Sequence, residues 1–236
     1  MKLTNKYNMT LEENIFWAKR NIVDYIYKSA RLEGLNITFP ETYTIYERAI
    51  LTKADIHTVE VVINLKHAWQ YLIDNINDKL DLEFIKKIHN EIARGEALSW
   101  GELRTGRVYI TGTDYIPPIP NEDDINLSLK QLLSIENPTV RAIRVMLWGM
   151  RSQLFWDGNK RTAMMIANKI MIENGCGIIT VSPENLNDFF VLLSEYYTAD
   201  SNEKIMQFIY DNCIDGVDFP KKEQSDKAEV KNKDGE

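Results

Sequence analysis

One short run gathers most of the chemistry in this chain: Gln153-Leu154-Phe155-Trp156-Asp157-Gly158-Asn159-Lys160-Arg161. It places an acid, two amides and two cations in a polar loop between two apolar segments, 140–150 and 162–172. Gly158 can take a positive φ that other residues resist. A turn built on it, followed by the first free N–H groups of a helix, makes a concave anion site. Asn159 can brace that turn through its side chain, and Lys160 and Arg161 add positive charge at the helix mouth. Asp157 supplies a hard oxygen ligand suited to Mg2+, a cation that bridges phosphates and keeps several waters. Together these parts describe a site for a nucleotide polyphosphate. The same composition also fits an ordinary Asp-Gly-Asn turn ahead of a solvated Lys-Arg pair. The loop contains no histidine.

Helical periodicity dominates the elements that must position this loop. Thr10-Leu11-Glu12-Glu13 has the form of a capping box ahead of a first helix running to about Leu32, with Gly34 as its stop. A short helix over Pro40–Leu51 follows, then a long one over Asp55–Ile76 and a third over Asp81–Arg94. Further helices are expected over Asp123–Ser134, on both sides of the loop, from Ser182 to Tyr197, and from Ser201 to Cys213. Residues 99–120 differ in kind. Val108-Tyr109-Ile110 is rich in strand formers, lies between Gly106 and Gly112, and is closed by Pro117, Pro118 and Pro120. This segment is expected to form a short β-hairpin, serving either a function or simply to cover the core. The fold class is therefore all-α with one hairpin, in a single domain. Beyond Phe219 lysines and acids alternate in balanced number with few apolar residues, the composition of a disordered tail.

The 236 residues, 44% of them hydrophobic, suffice to bury a full core. A net charge of −7 argues against a general nucleic-acid binder, and the local Lys160-Arg161 pair suits a small phosphorylated ligand better. Cys176 and Cys213 are too few for a disulfide framework and too far apart for a zinc site. No apolar run approaches the roughly 20 residues of a membrane span, and no signal-peptide pattern opens the chain, so a cytoplasmic protein is expected. Several apolar helices need faces to bury, which is compatible with a homodimer without requiring one.

The loop resembles the signature of the Fic/Doc (Fido) family, His-x-Phe-x-Asp/Glu-Gly-Asn-Gly/Lys-Arg, with Phe155, Asp157, Gly158, Asn159, Lys160 and Arg161 in matching order. Gly101-Glu102-Leu103-Arg104-Thr105, Val108-Tyr109-Ile110 and the following prolines are similar to the family's flap. In the first helix, Ser29-Ala30-Arg31-Leu32-Glu33-Gly34 fits its inhibitory pattern Ser/Thr-x-x-x-Glu-Gly/Asn. The resemblance covers roughly residues 10–215. It implies a Fic-fold core over 37–216, preceded by the motif-bearing helix within 1–36 and followed by the charged tail 217–236.

For function, the resemblance implies transfer of AMP from ATP to a protein hydroxyl, or transfer of phosphate as in the toxin–antitoxin-like Doc branch. Asp157 would ligate Mg2+, and Gly158, Asn159, Lys160 and Arg161 would bind the phosphates. Val108, Tyr109 and Ile110 would dock an unidentified target protein by strand addition. Ser29 and Glu33, four apart on one helical face, would form a regulatory plug competing with the terminal phosphate, paired with Arg161 or Lys160. The bland alternative is a polar pair at a helix end.

Two positions depart from the family pattern. Gln153 stands where the catalytic histidine would take the acceptor's proton, and a carboxamide has no useful pKa near neutrality. Met164 stands where many AMP-transferring members carry an arginine. His57, His67 and His89 lie far upstream and read as structural. The function implied is thus a protein adenylyltransferase or Doc-like phosphotransferase with a degenerate site. The alternatives are a non-catalytic nucleotide- or partner-binding module, and removal of a nucleotide from a modified protein. Tyr196 and Tyr197 read either as an adenine wall or as core packing.

Overall fold

The computed structural model describes residues 3–47, 54–199 and 201–220. Its centre is an antiparallel helix pair, α7 (Pro138–Ser152) and α8 (Asn159–Glu173), whose connection is the signature loop. Every residue of α8 from Arg161 to Ile172 is buried. A helix buried on all faces must be enclosed by neighbours, with its polar residues paired; α7, α5 (Leu82–Ile92), α4 (Ile56–Asp74) and α1 (Leu11–Arg20) enclose it, and Asn168 and Lys169 bond main-chain carbonyls. Each large apolar side chain so buried contributes about 1.5–3 kcal/mol. The remaining helices, α2 (Ile22–Leu32), α3 (Phe39–Tyr46), α6 (Glu122–Leu133), α9 (Leu186–Ala199) and α10 (Glu203–Asn212), pack around this centre. One hydrophobic cluster extends from Ala18 to Ile214, so the N-terminal helices share the core of the rest.

Local chemistry explains most boundaries. Thr10 closes its capping box with Glu13, and Thr38 closes a second one with Glu41 at the start of α3. Asp55, Asp81 and Asn137 accept the first amides of α4, α5 and α7. The first helix is not continuous as expected. Asn21 Nδ2 bonds back to Trp17 O and its own backbone leaves the helical region, so α1 and α2 meet at a break.

The mostly helical class holds, but the strand pair is not at 108–110. It joins β1 (Ile178–Ile179) antiparallel to β2 (Ile214–Asp215), tying the chain beyond α8 to the end of α10. Residues 107–110 are extended without a ladder, and the turn behind them is closed by Thr113 N–H on Ile110 O. The arm has strand-like alternation, with Tyr109 outward and Val108 and Ile110 half-buried, but no neighbouring strand in the described residues. The end of the expected helix 40–51 and most of the tail 217–236 fall on 48–53 and 221–236, outside the described residues. Among the described residues no helix is long and apolar enough to cross a membrane.

Candidate functional site: the loop between α7 and α8

Two left-handed residues shape the loop. Gln153 ends α7 at φ 46°, the one non-glycine residue at positive φ among those described, and Gly158 opens α8 at φ 70°. A Cβ on Gly158 would also lie 3.3 Å from Ile92 Cγ2, so both conformation and space favour glycine. No side chain caps α8, which leaves its first amides turned toward the loop's concave side.

Asn159 braces this turn as expected. Its Oδ1 accepts Phe155 N–H at 2.9 Å, while its Nδ2 donates to Phe155 O and to Gln153 Oε1. The Gln153 amide is used at both ends, because its Nε2 also donates to Met150 O at 2.7 Å, one of the orphan carbonyls of α7. Asp157 is exposed, and its Oδ1 accepts Gly158 N–H at 2.6 Å, leaving Oδ2 open.

These parts face a cleft of about 660 Å3 whose lining includes Gln153, Trp156, Asp157 and Lys160 from the loop, Tyr109 and Ile110 from the arm, and Tyr197 from α9. A shallower depression along α9 joins it through Phe190 and Ser194. Burial, then the neighbouring Tyr196 and Glu33, push the Tyr197 hydroxyl well above the usual phenol range. Both tyrosines are buried, so they serve the core, with Tyr197 also presenting a wall to the cleft.

Arg161 lies apart from the cleft surface. Its guanidinium is buried beneath the loop in an ion pair with Glu96 at 2.9 Å, both side chains being only 3% exposed. Asn64 Nδ2 holds the other Glu96 oxygen at 2.9 Å. Glu33 approaches the same guanidinium from the end of α2, with Oε1 3.6 Å from Arg161 Nε and Oε2 3.6 Å from Lys160 Nζ. These are the two cations expected to meet it. Neither Glu33 Oε1 nor Arg161 Nε has a hydrogen-bond partner, so the approach is electrostatic and not yet a bond. Ser29 is buried and reaches Glu33 only by its main chain, whose carbonyl accepts Glu33 N–H. Met164 is buried among apolar neighbours.

Three residues at the site escaped the sequence reading as functional. Glu96 is the first, as partner of Arg161. The second is Arg104, which is buried and donates to the carbonyls of Gln153, Gly106, Pro117 and Pro118, while its own N–H donates to Leu154 O. It thereby ties the arm to the loop. Gly106 lies so close under Trp156 that a Cβ there would approach the ring to 2.6 Å. The third is His89 on α5, stacked flat on Phe155 at 3.7 Å between ring centroids. Its Nδ1 accepts Gly101 N–H at 2.9 Å and its Nε2 lies 2.9 Å from Asp157 O. Burial lowers its pKa to about 4, so the ring is neutral near pH 7. His89 stands on the apolar face of α5 with Ile85, Ile88 and Ile92, which was the available signal.

Residues 79–171, from just ahead of α5 through most of α8, match the Fic/DOC family model. This middle stretch of the chain is similar to the Fic/DOC family. Similarity to curated proteins extends beyond those limits. Protein adenylyltransferase Fic from Aedes aegypti is 24% identical over 184 residues, covering 73% of this chain and 36% of that protein. The protein of the same name from Nematostella vectensis is 24% identical over 189 residues, covering 75% and 44%. The chain thus spans less than half the length of these curated relatives. Fic-1 (residues 134–508) from C. elegans superposes with a TM-score of 0.70 at 21% identity, over 83% of this chain and 62% of that one. A Fic domain containing signaling protein from Bacteroides thetaiotaomicron also reaches 0.70, at 16% identity over 86% of both chains. These structures share the Fic/DOC fold with this chain.

Proposed function

We propose that this chain is a Fic-like protein modifier that binds ATP with Mg2+ and transfers AMP to a hydroxyl of another protein, weakened at Gln153. The observation that carries the reading is the joining of Asp157, Lys160 and the uncapped start of α8 at one cleft. The name of the relatives, protein adenylyltransferase, supports the reaction class. Asp157, exposed with one oxygen open, fits a cation that otherwise takes water and phosphate oxygens. When bound, Mg2+ would neutralise charge on the phosphates. Lys160 and the first amides of α8, positioned by Gly158 and Asn159, would hold phosphate oxygens. Arg161, its charge neutralised by Glu96, would brace the loop from beneath rather than hold a phosphate itself.

The main-chain amides of Val108 and Tyr109 donate to no described residue; facing opposite edges of the arm, they leave one edge able to take an added strand from a target. That strand would present its hydroxyl at the cleft. On this reading Glu33, with Ser29 behind it, occupies space a terminal phosphate would otherwise take, poised against Arg161 and Lys160.

Gln153 takes the position of the general base in this reading. Its amide is already spent on Met150 and Asn159 and cannot accept a proton near neutrality. That engagement favours one second reading, a nucleotide-binding module that does not turn over. Wild type and Gln153→His, each given ATP labelled at the α- or γ-phosphate in cell lysate, separate the two. Weak α-label transfer by wild type, raised about 10^2–10^4-fold in the variant, is expected for the enzyme. Label arriving only from the γ-position would reassign the transferred group to phosphate. No transfer by either, with Mg2+-dependent ATP binding lost in Asp157→Ala, would leave the module. Absence of nucleotide binding in calorimetry would overturn both.

A further inference from the structure

His89 is fully buried, yet both of its ring nitrogens are engaged, and the two bonds lead to different parts of the site. The tautomer follows from the partners. A backbone N–H can only donate, so Nδ1, facing Gly101 N–H, carries a lone pair. In the neutral ring the proton then sits on Nε2 and is donated to the Asp157 carbonyl. The flat stack on Phe155 fixes the ring plane, so neither bond can be kept by rotating the ring away.

Each end of this bridge meets a different segment. Asp157 O heads the turn whose Gly158 N–H holds the Asp157 carboxylate in place. Gly101, at φ 75°, turns the chain into the stretch that runs through Arg104 to the arm at 107–110. Arg104 makes a second link between the same two parts, from the far side of the loop. The loop is therefore clamped to the arm's root at two points, one through α5 and one through Arg104.

We propose that His89 is a positioning residue that fixes the Asp157 carboxylate relative to the segment leading into the arm, coupling the metal-and-phosphate side of the cleft to the target side. This rests on the proposed nucleotide site for its consequence, but its geometry stands without that reading. The group resembles the outer partners of metal ligands, which set where a ligand points and whose loss costs about 10–100-fold in metal affinity.

Two substitutions divide the bridge. His89→Asn keeps an acceptor near Nδ1 for Gly101 and removes the donor to Asp157. His89→Gln reaches the Asp157 carbonyl with an amide donor and gives up the Gly101 acceptor. After circular dichroism and thermal melting verify that both fold, two readouts are taken. In amide hydrogen exchange, Gly158 should lose protection selectively in His89→Asn and Gly101 selectively in His89→Gln. In calorimetry with ATP, the tightening produced by Mg2+ should fall about 10–100-fold in His89→Asn and much less in His89→Gln. Folded variants whose exchange at both glycines matches wild type overturn the proposal. So does equal loss of protection at both sites in both variants, which marks a merely structural residue. If wild type binds no nucleotide, the functional reading falls while the exchange data still decide this one. Should one variant fail to fold, the exchange pattern of the other decides it alone.

Discussion

At the level of single residues, the site stands on two features whose removal lowers stability by different mechanisms. Gly158 occupies a left-handed conformation with a neighbour 3.3 Å from where a Cβ would sit. Gly158→Ala should cost about 1–2 kcal/mol in urea denaturation and should also weaken ATP, because the first amides of α8 would shift. Glu96 is different. It neutralises a buried guanidinium, and removing one partner of such a pair costs about 3–5 kcal/mol. Glu96→Ala is therefore expected to lower stability by that order, whereas Glu33→Gly should change it little. Glu33 is more exposed, 3.6 Å away, and bonded to neither cation. A large stability loss in Glu33→Gly would contradict its description as a poised, unbonded group. Phe155 to Arg161 could be read from sequence because the loop's residues are neighbours in the chain. Glu96, Arg104 and His89 could not, because their partners lie between 49 and 68 residues away for the bonds that matter.

At the level of elements, caps and apolar stripes made most helices legible within a few residues. The break at Asn21 was hidden because it depends on one side-chain bond to Trp17 O, which leaves no trace in hydrophobic periodicity. The strand pair was illegible for a related reason. Two residues on each strand, joined across 36 positions, have no alternation to detect. The extended arm shows the reverse case, a sequence with strand propensity whose partner is not supplied within the described chain. Arg104 is what holds it. Arg104→Lys keeps a charge but cannot span four carbonyls, leaving some of them unsatisfied at about 1–3 kcal/mol each. Limited trypsin digestion should then cut after Arg107 faster than in wild type, with the helical signal retained. Thr10→Ala, which opens a capping box, should cost about 1 kcal/mol without altering that cleavage.

Taken as a whole, the molecule is closed by contacts between its two ends. Tyr25 Oη and Trp17 Nε1 both donate to Asp215 Oδ2, so α1, α2 and β2 converge on one carboxylate. Cys213 lies beside this junction, and burial pushes its thiol up to about 12 from the ordinary 9.0. In the unfolded chain that thiol ionises first, so the unfolded state binds fewer protons above pH 9. Stability is fully present below pH 9 and should be lost progressively as pH rises toward 12. Denaturant titrations should show this decline, and it should be shallower in Cys213→Ala. Both cysteines are buried and both are raised, so neither should react with a thiol reagent at pH 8 until the protein unfolds.

The arm at 107–110 has a thermodynamic consequence. It is held at its root by Arg104 and by the contact of Gly106 with Trp156, while its own amides make no internal ladder. A peptide adding to it would form main-chain bonds and at the same moment immobilise both strands. The heat released should be large and the opposing entropy nearly as large, giving an affinity modest for the area covered. On the proposed docking reading, a captured segment would therefore be released quickly.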